Sequence, residues 1–229
     1  MTHPLDRPIW STLTSRQAHL AQGDGRAVRM DADYGLFAAA ADRSAASLAA
    51  LAALVPERGA LALVEAEEFP PVPGATNALR HVWQMGFEGL TGFAAGPPGF
   101  EIVPLTDADG PEMLALAKLT EPGPFFAKTH LLGDFIGVKV GGKLAAMAGE
   151  RMRPTGFTEV SGVCVHPDHR GRGYSAVLTR RVTQAILARG EQPFLHVYAH
   201  NAPAIAVYEK LGFRLRREMA MTVLMKPRD

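Results

Sequence analysis

Residues 157–189 limit the possible folds more than any other part of the chain. They begin with Phe157-Thr158-Glu159-Val160-Ser161-Gly162-Val163-Cys164-Val165, rich in apolar and β-branched residues, which reads as a strand. A polar loop runs from His166 to Gly173. Tyr174 to Arg189 then carries Leu178, Val182, Ala185 and Ile186 at i, i+4, i+7 and i+8, the apolar stripe of a helix. A strand that passes through a two-glycine turn into an amphipathic helix belongs to a sheet with helices packed on it. The turn also has its own chemistry. Gly171 and Gly173 let a ligand approach the backbone with no Cβ between them. The first N–H groups of a helix lack internal partners and point toward an anion. Arg170 and Arg172 bring two positive charges to the same place. Together these features read as a pyrophosphate site.

The rest of the second half extends the same layout. Glu101 to Leu105 reads as a strand, and a helix follows with Asp109 or Gly110 near its cap and Pro111 in its first turn. Ile136 to Val140 and Lys143 to Met152 form a hairpin across Gly141-Gly142. Phe194 to Tyr198 is a strand, Asn201 caps a helix reaching about Leu211, and Phe213 to Met225 is a last strand. The order β-α-β-β-β-α-β-α-β predicts an α/β protein with a mixed sheet flanked by helices.

The first half is less patterned. Leu5 to Leu20 has room for a short helix. Ser44 to Val55 is a clearer helix, stopped by Pro56, and Gly59 to Val64 reads as a strand. Asn77 to Phe93 is ambiguous. Gly96-Pro97-Pro98-Gly99 continues neither a helix nor a central strand, and it predicts a boundary between domains 1–97 and 98–229.

Two motifs carry a family resemblance. Arg170-Gly171-Arg172-Gly173-Tyr174-Ser175 resembles the Gln/Arg-x-x-Gly-x-Gly/Ala signature of the GNAT N-acetyltransferase superfamily, with Ser175 where Gly or Ala is usual. Downstream, Asn201-Ala202-Pro203-Ala204-Ile205-Ala206-Val207-Tyr208-Glu209-Lys210-Leu211-Gly212-Phe213 looks like that family's other strong motif. The resemblance spans residues 100–226 and implies a GNAT fold. It also implies acetyl transfer from the co-substrate acetyl-CoA to an amine, by direct transfer in a ternary complex. The implied donor contacts are Val163, Cys164, Val165, Arg170, Gly171, Arg172, Gly173, Tyr174, Ser175, Asn201 and Ala204. Residues 1–97 carry no such motif. They read as a smaller α/β domain, a degenerate GNAT-like half by similarity to the glycine N-acyltransferase-like members, that walls the acceptor site or mediates a homodimer.

The chemistry needs proton transfers. A lysine-like amine has an unperturbed pKa of about 10.4, so its neutral form at pH 7 costs about 4–5 kcal/mol and a general base helps. Glu159 matches a position that often holds the family's base, with Glu150 on the next strand as a second candidate. Tyr208 matches the family's general-acid tyrosine, which protonates the leaving thiolate.

Other classes fit less well. Lys+Arg total 24 against Asp+Glu 23, a net charge of +1, which gives no basic excess for nucleic acid. The one cysteine, Cys164, excludes an internal disulfide or a Cys-rich zinc module, and no metal ligand set is expected. Gly171-x-Gly173-x-x-Ala176 also fits a dinucleotide fingerprint, but Val197-Tyr198-Ala199-His200 offers no acid for the ribose. There is no Gly-Lys-Ser/Thr phosphate loop. No apolar run is long enough for a membrane span, and Met1 to Pro8 shows no leader, so the expected setting is soluble and cytoplasmic. The expected partners are acetyl-CoA and a small amine. The alternative is an acyl-CoA-binding sensor or scaffold that does not turn over.

Overall fold

The computed structural model describes residues 3–89 and 100–227. In chain order its elements are α1 (Pro8–Leu13), β1 (Ala21–Gly23), β2 (Ala27–Met30), β3 (Ala38–Ala40), α2 (Ala45–Leu54), β4 (Leu61–Glu65) and β5 (Thr76–Phe87). They continue with β6 (Val103–Leu105), α3 (Gly110–Thr120), β7 (Phe135–Val140), β8 (Lys143–Glu150), β9 (Phe157–Val165), α4 (Tyr174–Ala188), β10 (Gln192–Tyr198), α5 (Ala202–Lys210) and β11 (Phe213–Met225).

The second half follows the expected order element by element. A main sheet of eight strands runs β4-β11-β5-β10-β9-β8-β7-β6, and a small sheet of three runs β1-β2-β3. The β9–β10 pair is parallel and the other pairs are antiparallel. Helices α4 and α5 bury Leu178, Val182, Ile186 and Ile205 against one face, with Val160, Leu195 and Phe213 of the sheet. On the other face Leu5, Ile9 and Leu13 pack with Val64, Val82, Met152 and Phe194, while α3 sets Met113 and Leu116 over Met147 and Cys164.

The division expected at 97/98 needs correction. Gly96 to Gly99 themselves lie outside the described residues, but the sheet runs across the boundary. β5 lies in register between β11 and β10, with Phe213↔Phe87 on one side and Phe194↔Gly86 on the other. β4 closes the sheet at the edge of β11. Residues 1–97 therefore supply two strands of the main sheet, not a sheet of their own beside it. The small sheet docks through a Phe37↔Ala62 bridge. β5 was ambiguous for a physical reason: Thr76 to His81 are mostly exposed, so no alternation marks this half of the strand.

One local feature of β9 creates the site. Gly162 has φ +63, and the register against β8 shifts there, from Gly149↔Ser161 to Met147↔Cys164. This bulge turns the strand. The parallel pairing of β10 with β9 covers only Gln192↔Phe157, Pro193↔Thr158 and Phe194↔Glu159. Beyond that the strands separate, and a wedge opens between Val163–Val165 and Val197–Tyr198.

Candidate active site

The wedge leads into a cavity of about 550 Å³. At one end it is lined by Val163, Cys164, Val165, Arg170, Ser175, Asn201 and Ala204, which the sequence reading assigns to the donor, and by Tyr208, which it assigns as the general acid. Gly171 and Gly173 have φ +76 and +77, the left-handed region that glycine enters freely, and Gly173 sits at the N-terminus of α4. A Cβ built on Gly171 would meet nothing within 4 Å, so its outer side is open to a ligand. Gly171, Arg172 and Gly173 form the turn beside the cavity and are not part of its wall. Tyr174 turns its ring inward, edge-on to Phe100 at 4.8 Å between centroids, and leaves only its backbone for a ligand. The Asn201 side chain accepts a hydrogen bond from Ala204 N (3.3 Å), so it caps α5 as well as lining the cavity.

Tyr208 and Cys164 face the same space. Burial, reinforced by Cys164 nearby, pushes the Tyr208 phenol up to about 12. It is thus fully protonated at neutral pH, as a proton donor must be. Burial pushes the Cys164 thiol up to about 11, partly offset by a hydrogen bond from Thr120. A thiol held protonated is not a nucleophile.

Glu159 is not positioned as a base, which corrects the sequence expectation. Its side chain is fully buried, does not line the cavity, and is occupied by partners. Arg151 donates from Nε to Oε2 (2.8 Å) and from Nη2 to Oε1 (2.7 Å), and His196 Nδ1 lies 2.8 Å from Oε1. Burial alone would raise this carboxyl, but the Arg151 guanidinium, together with the His196 bond, holds it well below the usual carboxylate range. Such a group binds a proton poorly. Glu150 is no substitute. It is buried and paired with Arg189 Nη2 at 2.6 Å, and it too is absent from the cavity wall.

The far end of the cavity was not legible in the sequence. Phe37, Val64, Val82, Met152 and Met221 give it an apolar lining, into which Arg151, His196 and Tyr198 project. The Arg151 guanidinium lies 4.9 Å from the Phe37 ring centroid. The Gln84 amide sets the His196 tautomer. Gln84 Oε1 accepts from Arg216 (2.8 Å), and Nε2 donates to Leu5 O (2.9 Å). The same nitrogen is 3.1 Å from His196 Nε2, which therefore accepts, leaving the proton on Nδ1 toward Glu159. Glu121, at the C-terminus of α3, is the only acidic residue on the cavity wall among the described residues. No group of three or more metal-ligating side chains occurs among the described residues, and no helix among them is long and apolar enough to cross a membrane.

Comparison with known proteins adds an independent line. The family model described as FR47-like protein matches residues 136–222. A crystal structure from Novosphingobium aromaticivorans, of a protein assigned to the GNAT family of acetyltransferases, superimposes with a TM-score of 0.90. It shares 47% identity and covers 99% of this chain and 100% of that one, so the N-terminal half is part of the shared fold. An acetyltransferase of Sodalis glossinidius is 33% identical over 107 residues, 46% of this chain and 68% of its own length. The mycothiol acetyltransferase of Saccharomonospora viridis is 50% identical over 62 residues, 27% of this chain and only 20% of its own length. The similarity of residues 1–97 to glycine N-acyltransferase-like proteins has no support from these relatives.

Proposed function

This chain belongs to the GNAT family of acetyltransferases, an acyl-CoA-dependent class, and on that premise we propose that it moves the acetyl group of acetyl-CoA onto the amine of a small molecule. Transfer is direct, with both substrates held in one cavity. The observation that carries this reading is the wedge between β9 and β10, whose cavity runs from Arg170 and Ser175, on either side of the glycine turn, past Tyr208 to the chamber around Arg151.

The residues fit the donor. The left-handed turn Gly171–Gly173 and the first amides of α4 would take the pyrophosphate, with Arg170 adding charge. The separated edge of β9, Val163 to Val165, offers backbone groups that β10 leaves unpaired. The Tyr208 hydroxyl gives its proton to the departing thiolate. A thiol pKa near 8.5 means that this step recovers only about 2 kcal/mol at pH 7. The acceptor chamber is closed on one side by Phe37, Val64 and Val82 from the N-terminal half, which suits a small molecule better than a peptide chain. The match to mycothiol acetyltransferase spans too little of that protein to bring its acceptor here.

The test is release of free CoA from acetyl-CoA in the presence of a panel of small amines. Turnover that depends on the amine is expected. Saturable acetyl-CoA binding with no turnover across the panel would replace this reading with a sensor.

A further inference from the structure

We propose that Glu121 is the catalytic base, the group that takes the proton from the acceptor's ammonium. The proposal rests on the amine-acceptor reading above and names a residue that the family motifs do not point to. Two independent observations carry it.

The first is placement. A base must have access to the cavity that holds Tyr208, and Glu121 is the one acid that lines it among the described residues. The other titratable groups there are engaged or unsuited. Glu159 sits behind the wall on Arg151. Both His196 nitrogens are hydrogen-bonded, and Cys164 is held as a thiol. Glu121 also lines a second cavity of about 810 Å³, shared with Arg80, His81, Lys118, Tyr198 and His200. Of these only Tyr198 reaches the first cavity as well. His81 is turned to Glu218, with Nδ1 3.2 Å from Oε1, and the His200 ring stacks on Tyr198 at 5.4 Å. Arg80 and Lys118 are the cationic residues of that second cavity. Glu121 is exposed, so a proton received from the first cavity can leave to water through the second.

The second is backbone conformation. Glu121 has φ 48 and ψ 53, and it is the only non-glycine residue with positive φ among the described residues. Its N–H donates to Ala117 O (2.8 Å), so this is the residue that ends α3, a position where glycine is the ordinary choice. A β-carbon there is strained, and strain of this kind persists at sites where the side chain has work to do.

The proton balance closes. The R–NH3+ group of the acceptor gives one proton to the Glu121 carboxylate, which passes it to water. The freed lone pair forms the N–C bond to the thioester carbonyl. The C–S bond then breaks, the thiolate takes the Tyr208 proton, and the proton shed by the new amide nitrogen restores Tyr208.

The experiment compares wild type, Glu121→Gln, Glu121→Gly and His200→Gln, measuring turnover with the best amine from about pH 7 to about pH 10, together with Tm. At pH 7 both Glu121 variants should lose on the order of 100-fold in turnover. The loss should shrink toward parity as pH approaches the amine's own pKa of about 10.4, because hydroxide then does the work of the base. Glu121→Gly should at the same time raise Tm by about 2–4 °C by relieving the left-handed strain. His200→Gln should keep wild-type turnover. If Glu121→Gly gains Tm and keeps full turnover, Glu121 only ends a helix and the proposal fails. A loss equal at every pH would also overturn it, as would a loss that falls on His200→Gln instead. If wild type itself binds acetyl-CoA but turns over no amine, the amine-acceptor reading fails first and this assignment with it.

Discussion

The two ends of the cavity are built in opposite ways. The donor end comes from two short stretches of contiguous chain, 163–175 and 201–208, and its main demands are backbone ones: left-handed glycines, a helix start and an unpaired strand edge. The acceptor end gathers Phe37, Val64, Val82, Glu121, Arg151, His196 and Met221 from remote parts of the chain. Its demands fall on side chains, and it is braced by a polar chain running Asp6–Arg216–Gln84–His196–Glu159–Arg151, half-buried at Asp6 and Arg216 and fully buried at Gln84 and Glu159. A backbone-built site can be altered with little harm to the fold. A site built on buried charges cannot, because removing one member leaves another unpaired.

The largest effect expected from this contrast is on stability, at the acceptor end. Arg151→Ala strands the buried Glu159 carboxylate and should cost about 3–5 kcal/mol, a fall in Tm of about 6–20 °C by calorimetry. The pH dependence has a definite sign. Glu159 is held below the usual carboxylate range, so its stabilisation is present above about pH 4.5 and is lost as pH falls further. The gap in stability between wild type and Arg151→Ala should therefore narrow in acid. A gap that widens would mean that the pair is not the brace described.

At the donor end, Gly171→Val should do the reverse. Its strain costs only about 1–2 kcal/mol of stability, but the new side chain fills the open face of the turn. Acetyl-CoA affinity should drop by about 100-fold or more in a binding titration, with apo Tm only modestly lower. Equal damage to fold and binding would erase the distinction between the two ends.

Tyr208→Phe tests the junction between them. Turnover should slow by roughly 10–30-fold without loss of acetyl-CoA binding, since protonating the thiolate recovers only about 2 kcal/mol. Unchanged turnover would remove Tyr208 from the chemistry. The smallest effect belongs to Cys164. With its thiol pushed up to about 11, it should stay protonated at pH 8 and react with thiol reagents far more slowly than an exposed cysteine. Cys164→Ala should change turnover less than about twofold.

What could be read from the sequence follows the same line. The donor end was legible because a strand, two glycines and an amphipathic helix fall within 157–189, and because Asn201 and Pro203 announce the start of α5. The Glu159 reading failed through the same locality. Its position on β9 was read correctly, but the partner that disables it, Arg151, reaches it from just beyond β8, and His196, which donates to it from Nδ1, reaches it from β10. Glu121 left no pattern at all, because a left-handed glutamate looks in sequence like any polar residue at a helix end. β5 escaped because half of it is exposed on both faces, and with it went the fact that the N-terminal half completes the main sheet.

The central claim is that the glycine turn and the β9–β10 wedge form an acyl-CoA site. The most direct measurement is a thermal-shift titration with acetyl-CoA, using NAD as the control. At about 100 times Kd, binding to the native state adds about 2.7 kcal/mol, which for a chain of this size raises Tm by about 5–10 °C. The account predicts that rise with acetyl-CoA, none with NAD, and a curve displaced to far higher acetyl-CoA concentration in Gly171→Val. No rise with saturating acetyl-CoA, or the same rise with NAD, would contradict it.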